Sequence, residues 1–207
     1  MSTPRSTPSS AGSGRSVAKV VAETARLRLR EWDEADQKRF YDVMNRPEVM
    51  AHLGGVQSPE DWRAAYLRVR GFQEKYGHTF WIMEDRHNQE ILGFCGIKRV
   101  NAPDAGELLE KHEIGWRLRP DAWGKGLAKE AAIASLDLAF GRLGAPFVIA
   151  TTIPLNLKSQ GLMKRLGMTR REDLEYVDSR FGPDMNPTIV YRIDAADWPA
   201  ARAAALR

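Results

Sequence analysis

The sequence predicts a single α/β domain built on a mixed central sheet of about six to seven strands flanked by helices. Three observations carry this. Segments of period two interleave with segments of period 3.6 in the order β-α-α-β-β-β-α-β-α-β-β. The 207 residues, 43% hydrophobic and 28% charged, suffice for one well-filled core. Neither an internal repeat nor a linker-like stretch interrupts residues 20–207.

The opening MSTPRSTPSSAGSGRSV is rich in Ser, Thr, Pro and Gly and nearly devoid of apolar side chains. Such a segment buries too little to offset its ordering entropy, so residues 1–19 read as a disordered leader ahead of a domain over 20–207. It lacks the apolar core of a secretory signal, and its acid-poor Arg/Ser character is one that transit peptides share. ARLRLREW then alternates as a strand with Leu27 and Leu29 inward. Asp33 caps a helix reaching Asn45, with Phe40, Val43 and Met44 on its inner face. Ser58, followed by Pro59 and by Asp61 three residues on, opens a second helix to Tyr76. TFWIMED and EILGFCGIKRV form a hairpin across the polar turn RHNQ. A polar excursion, residues 101–111, precedes a strand from His112 to Arg119. A helix over 126–141, the β-branched strand PFVIATT and the short helix NLKSQGLMKRLG, stopped at Gly167, come next. EDLEYV and TIVYRI read as two last strands around the loop DSRFGPDMNP, and an Ala-rich tail from Asp194 ends the chain.

The charge balance excludes one class of function. Arg5, Arg15 and Lys19 all precede the first acidic residue, Glu23; removing those three from 31 basic residues leaves 28 against 27 acidic. The domain is nearly neutral, so no nucleic-acid groove is expected. No apolar run approaches the roughly 18 residues of a membrane span, so no membrane partner is expected. The one cysteine, Cys95, excludes an internal disulfide, fits a reducing, cytoplasmic compartment, and reads as buried filler in the apolar run ILGFCGIK. His52, His78, His87 and His112 show no ligand spacing, so no metal is implied.

The stretch EIGWRLRPDAWGKGLAKEAAIASLDLAF, Glu113 to Phe140, holds the chemical signal. It alternates to Arg119, turns through Pro120, Gly124 and Gly126, and is helical from Leu127. A helix start carries backbone N–H groups without partners and partial positive charge. Small residues at Gly124, Gly126 and Ala128 would let phosphate oxygens approach them, with Lys125 at the rim. Glycines between a strand and a helix also serve simply to make a tight turn. A Walker loop is excluded, because Gly126 follows Gly124 by two residues and no Ser or Thr follows Gly-Lys. A dinucleotide fingerprint is excluded by Lys129 where a third small residue belongs.

Trp123, Gly124, Lys125, Gly126, Leu127 and Ala128 together resemble the acyl-CoA-binding motif Arg/Gln-x-x-Gly-x-Gly/Ala of the GNAT N-acetyltransferase superfamily. Trp123 departs from its first position, as in the branch similar to the RimJ/RimL ribosomal-protein N-acetyltransferases. TARLRLREW and NLKSQGLMKRLGM resemble that branch's opening strand and its Asn-x-x-Ser helix, so the likeness spans nearly the whole domain. The resemblance implies that loop N–H groups hold the diphosphate of acetyl-CoA as co-substrate. It also implies that the pantetheine arm lies in a V-shaped gap between the fourth and fifth predicted strands, His112–Arg119 and Phe147–Thr152. On this reading Leu118 and residues 123–128, together with Asn156 and Ser159, bind the cofactor, with Trp123 walling its site.

Acetyl transfer from a thioester to an amine requires that the amine lose a proton, the oxyanion be stabilised and the thiolate depart. Direct attack in a ternary complex needs no enzyme nucleophile. Glu113, at the start of the fourth predicted strand, is the candidate base; alternatively it orders the strand end or pairs with Arg117 on the same face. His112 points to the opposite face. Where many relatives place a tyrosine acid, this chain has Met163, so the resemblance assigns the acid to Ser159; Asn156 also caps its helix. Glu175, Tyr176, Asp178 and Asp184 fall where relatives contact the acceptor, an acidic set suited to a cationic amine, though such charges are also ordinary solvated loop residues. Trp32, Trp62, Trp81, Trp116 and Trp198 read as core. The expected function is acetyl-CoA-dependent transfer to a primary amine, either a protein N-terminus or a small molecule, with a homodimer suggested by the family. A non-catalytic acyl-CoA-binding module is the alternative; the missing tyrosine favours it, while Glu113 and Ser159 argue against it.

Overall fold

Alternating apolar strands assemble into one eight-stranded sheet in the computed structural model of the protein, which describes residues 18–207. The leader expected over residues 1–19 thus lies almost wholly outside the described residues. The sheet order is β1-β2-β3-β4-β5-β6-β8-β7. β1 (Val20–Glu23) is one of two strands that the sequence reading lacks, the other being the two-residue strand Thr169–Arg170; it lies on the sheet edge, paired antiparallel with β2 (Leu27–Arg30). β3 (Phe80–Asp85) and β4 (Ile91–Arg99) form the expected hairpin, its turn tied by the Asp85 carboxylate accepting from the His87 and Asn88 N–H groups. β5 (His112–Leu118) pairs with β4 along its whole length, from Gly93↔Leu118 to Arg99↔His112. β6 (Phe147–Thr152) pairs fully with β8 (Ile189–Asp194), which also holds β7 (Thr169–Arg170).

Helix α1 (Asp36–Met44) starts three residues after Asp33, which instead makes a turn by accepting from the Ala35 N–H (3.0 Å). The next segment forms one helical turn, α2 (Pro47–Met50). α3 (Pro59–Tyr76) has the predicted start: the Ser58 hydroxyl accepts from the Asp61 N–H at 3.1 Å and donates to the Asp61 carboxylate at 2.7 Å. α4 (Leu127–Gly141) and α5 (Leu157–Arg165) match their predicted segments, and the Ala-rich tail folds as α6 (Trp198–Ala205). EDLEYV is not a strand. Its first half forms a 3-10 turn over Glu172–Leu174, and only Tyr176 bridges to Thr188. The segment carries charge on both faces, Arg171 pairing locally with Asp173 (2.6 Å), so it lacks the apolar alternation that fixes register.

The two sheet faces are built differently. On one, α4 packs its buried Ala131, Ala132, Leu136 and Ala139 against Cys95, Ile97, Ile114 and Leu118, and against Val148 and Ala150 from beyond the gap. Cys95 is fully buried, and burial pushes its thiol up to about 12, which makes it filler. On the other face the cover comes in two separate clusters. One joins Trp32, Phe40, Met44, Met50, Trp62 and Tyr66 to β3 and β4; the other joins Val100, Ala102, Ala105 and Leu108 to Ile149 and Val190. Four of the five tryptophans expected inside are buried, and Trp116 is partly so.

Candidate active site

The site lies where the sheet comes apart. β5 and β6 run parallel and share one registered pair, Glu113↔Ile149, after which their C-terminal ends diverge. These are the fourth and fifth strands of the sequence reading, renumbered by β1. The loop after β5 and the helix after β6 meet across the mouth of this wedge. Trp123, exposed in the loop, donates its indole N–H to the Leu118 carbonyl (2.8 Å), and the Lys158 ammonium of α5 sits 4.8 Å from its ring centre.

At that mouth α4 begins on Gly126 with φ 76° after Gly124 with φ 72°, left-handed conformations that side chains disfavour. None of the backbone N–H groups from Gly124 to Lys129 has an acceptor among the described residues; the first to find one is Glu130, which donates to the Gly126 carbonyl at 3.1 Å. Six successive amides at a helix start form a ready anion cradle.

The loop is held from behind by Arg26, a residue that sequence reasoning missed. Its Nη1 donates to the Lys125 carbonyl (2.9 Å), and its Nε donates to Glu130 (2.7 Å) in the first turn of α4. Because C=O and N–H oppose each other across a trans peptide, gripping the Lys125 oxygen aims the Gly126 N–H away from Arg26. Burial works against ionisation of Glu130, but hydrogen bonds from Thr24 and Arg26 outweigh it and lower its pKa, so the clamp stays charged.

On the face opposite α4, between the two apolar clusters, runs a row of polar groups. Glu113 stands at the apex of the wedge, not at its open end. Its Oε2 accepts from the Lys98 ammonium and its Oε1 from the Thr151 hydroxyl (2.7 Å). The alternative pairing with Arg117 is absent. Lys98 lies directly across the strand pair from Glu113, whereas Arg117 is four residues along, about 13 Å away by strand rise. His112 points the other way, its ring 5.5 Å from that of His78 and its Nε2 buried without a partner among the described residues. Burial first, then Arg99 and His78, lower its pKa to about 4.

The expected acceptor residues are divided. Tyr176 comes near Glu113: burial, with the Glu113 and Asp178 charges, raises its pKa, so it remains a hydroxyl donor. Asp178 is buried and committed to Arg180 (2.8 and 2.6 Å), whose guanidinium lowers its pKa. Glu175 is committed to Arg170 (2.6 Å), and Asp184 is exposed in the 3-10 turn Pro183–Met185. Asn156 caps α5 by accepting from the Ser159 N–H (3.1 Å), while the Ser159 hydroxyl is left without a partner among the described residues. Met163 is buried core. The described residues contain no group of three side chains suited to a metal ion, and no helix among them is long and apolar enough to cross a membrane.

A parallel pair thus splays around a bare helix mouth, with a carboxylate at the apex. Residues 26–169 match the acetyltransferase (GNAT) domain, and the chain belongs to that family of acyltransferases. It is 32% identical to the Bacillus subtilis protein YkkB over 152 residues, 73% of this chain and 86% of the relative. It is 31% identical to the N-acetyltransferase YnaD of the same organism over 148 residues, 71% and 81% of the two chains. Among solved structures it resembles an acetyltransferase from Agrobacterium tumefaciens with a TM-score of 0.68 and 26% identity, covering 83% of this chain and 92% of that one.

Proposed function

We propose that the protein is an acetyl-CoA-dependent N-acetyltransferase of the RimJ/RimL-like branch that acetylates a primary amine by direct attack in a ternary complex. The observation that carries this is the run of unpartnered amides from Gly124 to Lys129 at the mouth of the β5–β6 wedge. They would take the diphosphate, Lys125 adding charge at the rim and Trp123 walling the site, while Leu118, Leu127 and Ala128 line the approach and Asn156 and Ser159 face the arm from α5. Bound acetyl-CoA supplies the thioester and the thiolate leaving group.

The chain's own groups would do the rest. Each Glu113 oxygen already accepts one hydrogen bond and keeps a further lone pair, so the carboxylate can take a proton from the amine through water. Holding amine and thioester together in the wedge supplies most of the acceleration. The free Ser159 hydroxyl can protonate the departing thiolate. Tyr176 and Asp178, with Glu175 further out, would border the acceptor.

The test incubates pure protein with acetyl-CoA and a panel of peptide N-termini, amino acids, polyamines and aminoglycosides, and measures free thiol. Amine-dependent thiol release supports the reading. Tight CoA binding with no release on any amine leaves a binding module, the outcome that Met163 in place of a tyrosine favours.

A further inference from the structure

We propose that Arg117 receives an anionic group on the acceptor, a carboxylate above all, so that the preferred substrate is an amine that also carries an acid. This rests on the acetyltransferase reading and names its substrate class.

Glu113, Gly115 and Arg117 share the β5 face that lies between the two apolar clusters. Gly115 leaves room there for the Phe80 ring, which stands 2.6 Å from where a Cβ would be. Phe80 in turn stacks on Phe94, ring centres 4.9 Å apart and planes 5° from parallel. The result is a flat aromatic floor with a cation over each end, Lys98 at 5.5 Å from the Phe80 centre and Arg117 at 5.2 Å from that of Phe94.

The two cations differ in one respect. Lys98 is answered by Glu113, as Arg180 is by Asp178 and as Arg30 is by Asp36 and Glu84. Arg117 pairs with no carboxylate among the described residues. Its one hydrogen bond there is from Nη1 to the Met50 sulfur at 3.5 Å, a weak acceptor, which leaves four of its five N–H bonds unused. The residue is only partly buried, yet burial around the guanidinium lowers its pKa to about 10. It therefore stays charged at neutral pH while poorly solvated, the condition in which a bidentate carboxylate gains most. Of the acidic residues expected to greet a cationic amine, Glu175 and Asp178 are already paired and Asp184 lies in an exposed turn, whereas Arg117 is, among the described residues, an unpaired positive charge on the Glu113 face. Arg117 lies two residues beyond Gly115, about 7 Å along the strand, within reach of a small molecule whose amine enters the wedge.

The experiment compares matched acceptors, an amino acid, its carboxamide, its decarboxylated amine and a phosphate-bearing amine, in wild type, R117Q and R117K. Wild type should favour the carboxylate over the carboxamide in kcat/KM by about thirtyfold or more, chiefly through KM. R117Q should bring that ratio near one, R117K should restore part of it, and CoA affinity should hold in both. If the phosphate-bearing amine alone is preferred, the anion class stands and the carboxylate is overturned. A wild type that does not discriminate, or an R117Q that slows all acceptors alike, overturns the proposal. Should no amine turn over, the acetyltransferase reading fails by itself. Calorimetry of the same ligands on CoA-loaded protein then decides: carboxylate binding lost in R117Q upholds Arg117, and equal binding of acid and amide refutes it.

Discussion

Replacing Gly126 by valine separates the fold from the anion cradle. At φ 76° a Cβ costs about 1–2 kcal/mol of backbone strain. The Cβ itself has space, since the nearest atom to it is Arg26 Nη2 at 3.6 Å, an ordinary contact. For a chain of this length the melting temperature should fall by about 2–8 °C. The isopropyl group, however, would stand among the amides from Gly124 to Lys129. Losing two charge-assisted hydrogen bonds of about 1.5–3 kcal/mol each weakens CoA binding by about a hundredfold to ten-thousandfold. Isothermal titration with CoA and with pantetheine, which ends before the diphosphate, gives the readout. CoA should lose its advantage over pantetheine, while pantetheine alone binds as before. A folded variant that binds CoA within threefold of wild type would refute the phosphate assignment.

Glu113→Gln should lower kcat/KM by about a hundredfold or more where the amine is protonated, and least where it is already free; a loss uniform across pH would assign Glu113 a positioning role. His112 titrates near 6.5 when unfolded and near 4 when folded. Between those values the unfolded chain binds the extra proton, so stability falls as pH drops through the window, by up to about 3 kcal/mol, and is unaffected above it. Urea midpoints of wild type and His112→Leu should diverge from pH 7 to pH 4.5, with wild type losing more; a constant difference would contradict this. Asp36→Ala removes one of two carboxylates holding the buried Arg30 (2.5 and 2.8 Å), and should cost about 3–5 kcal/mol in chemical denaturation, whereas a loss under 1 kcal/mol would show that Glu84 suffices alone.

What the sequence revealed follows from where its signals are local. The Ser58-Pro59-Asp61 cap, the Gly126 helix mouth and the Asn156 cap each depend on neighbours within a few residues, and each forms as read. β1 escaped because four residues on an edge carry too short a pattern. EDLEYV differs from its expected form because its first half closes a 3-10 turn, which leaves only Tyr176 to bridge to Thr188. In the site, the bare amides after Gly124 were legible because one helix start creates them. The partners of Glu113 were not, because residues 101–111 leave the β4–β5 register open, and that register puts Lys98 opposite it. Arg26 gave no signal either, since its grip on the Lys125 carbonyl spans 99 positions of the chain.

The single registered pair between β5 and β6 has a mechanical consequence. The strands on either side form two plates joined at one backbone hinge and bridged by α4, whose core residues reach both. An elongated ligand pressed into the cleft would serve as the missing rung between them. Deuterium uptake along both inner edges should therefore slow together when the carrier is seated, as though the protein had gained a strand that it does not encode.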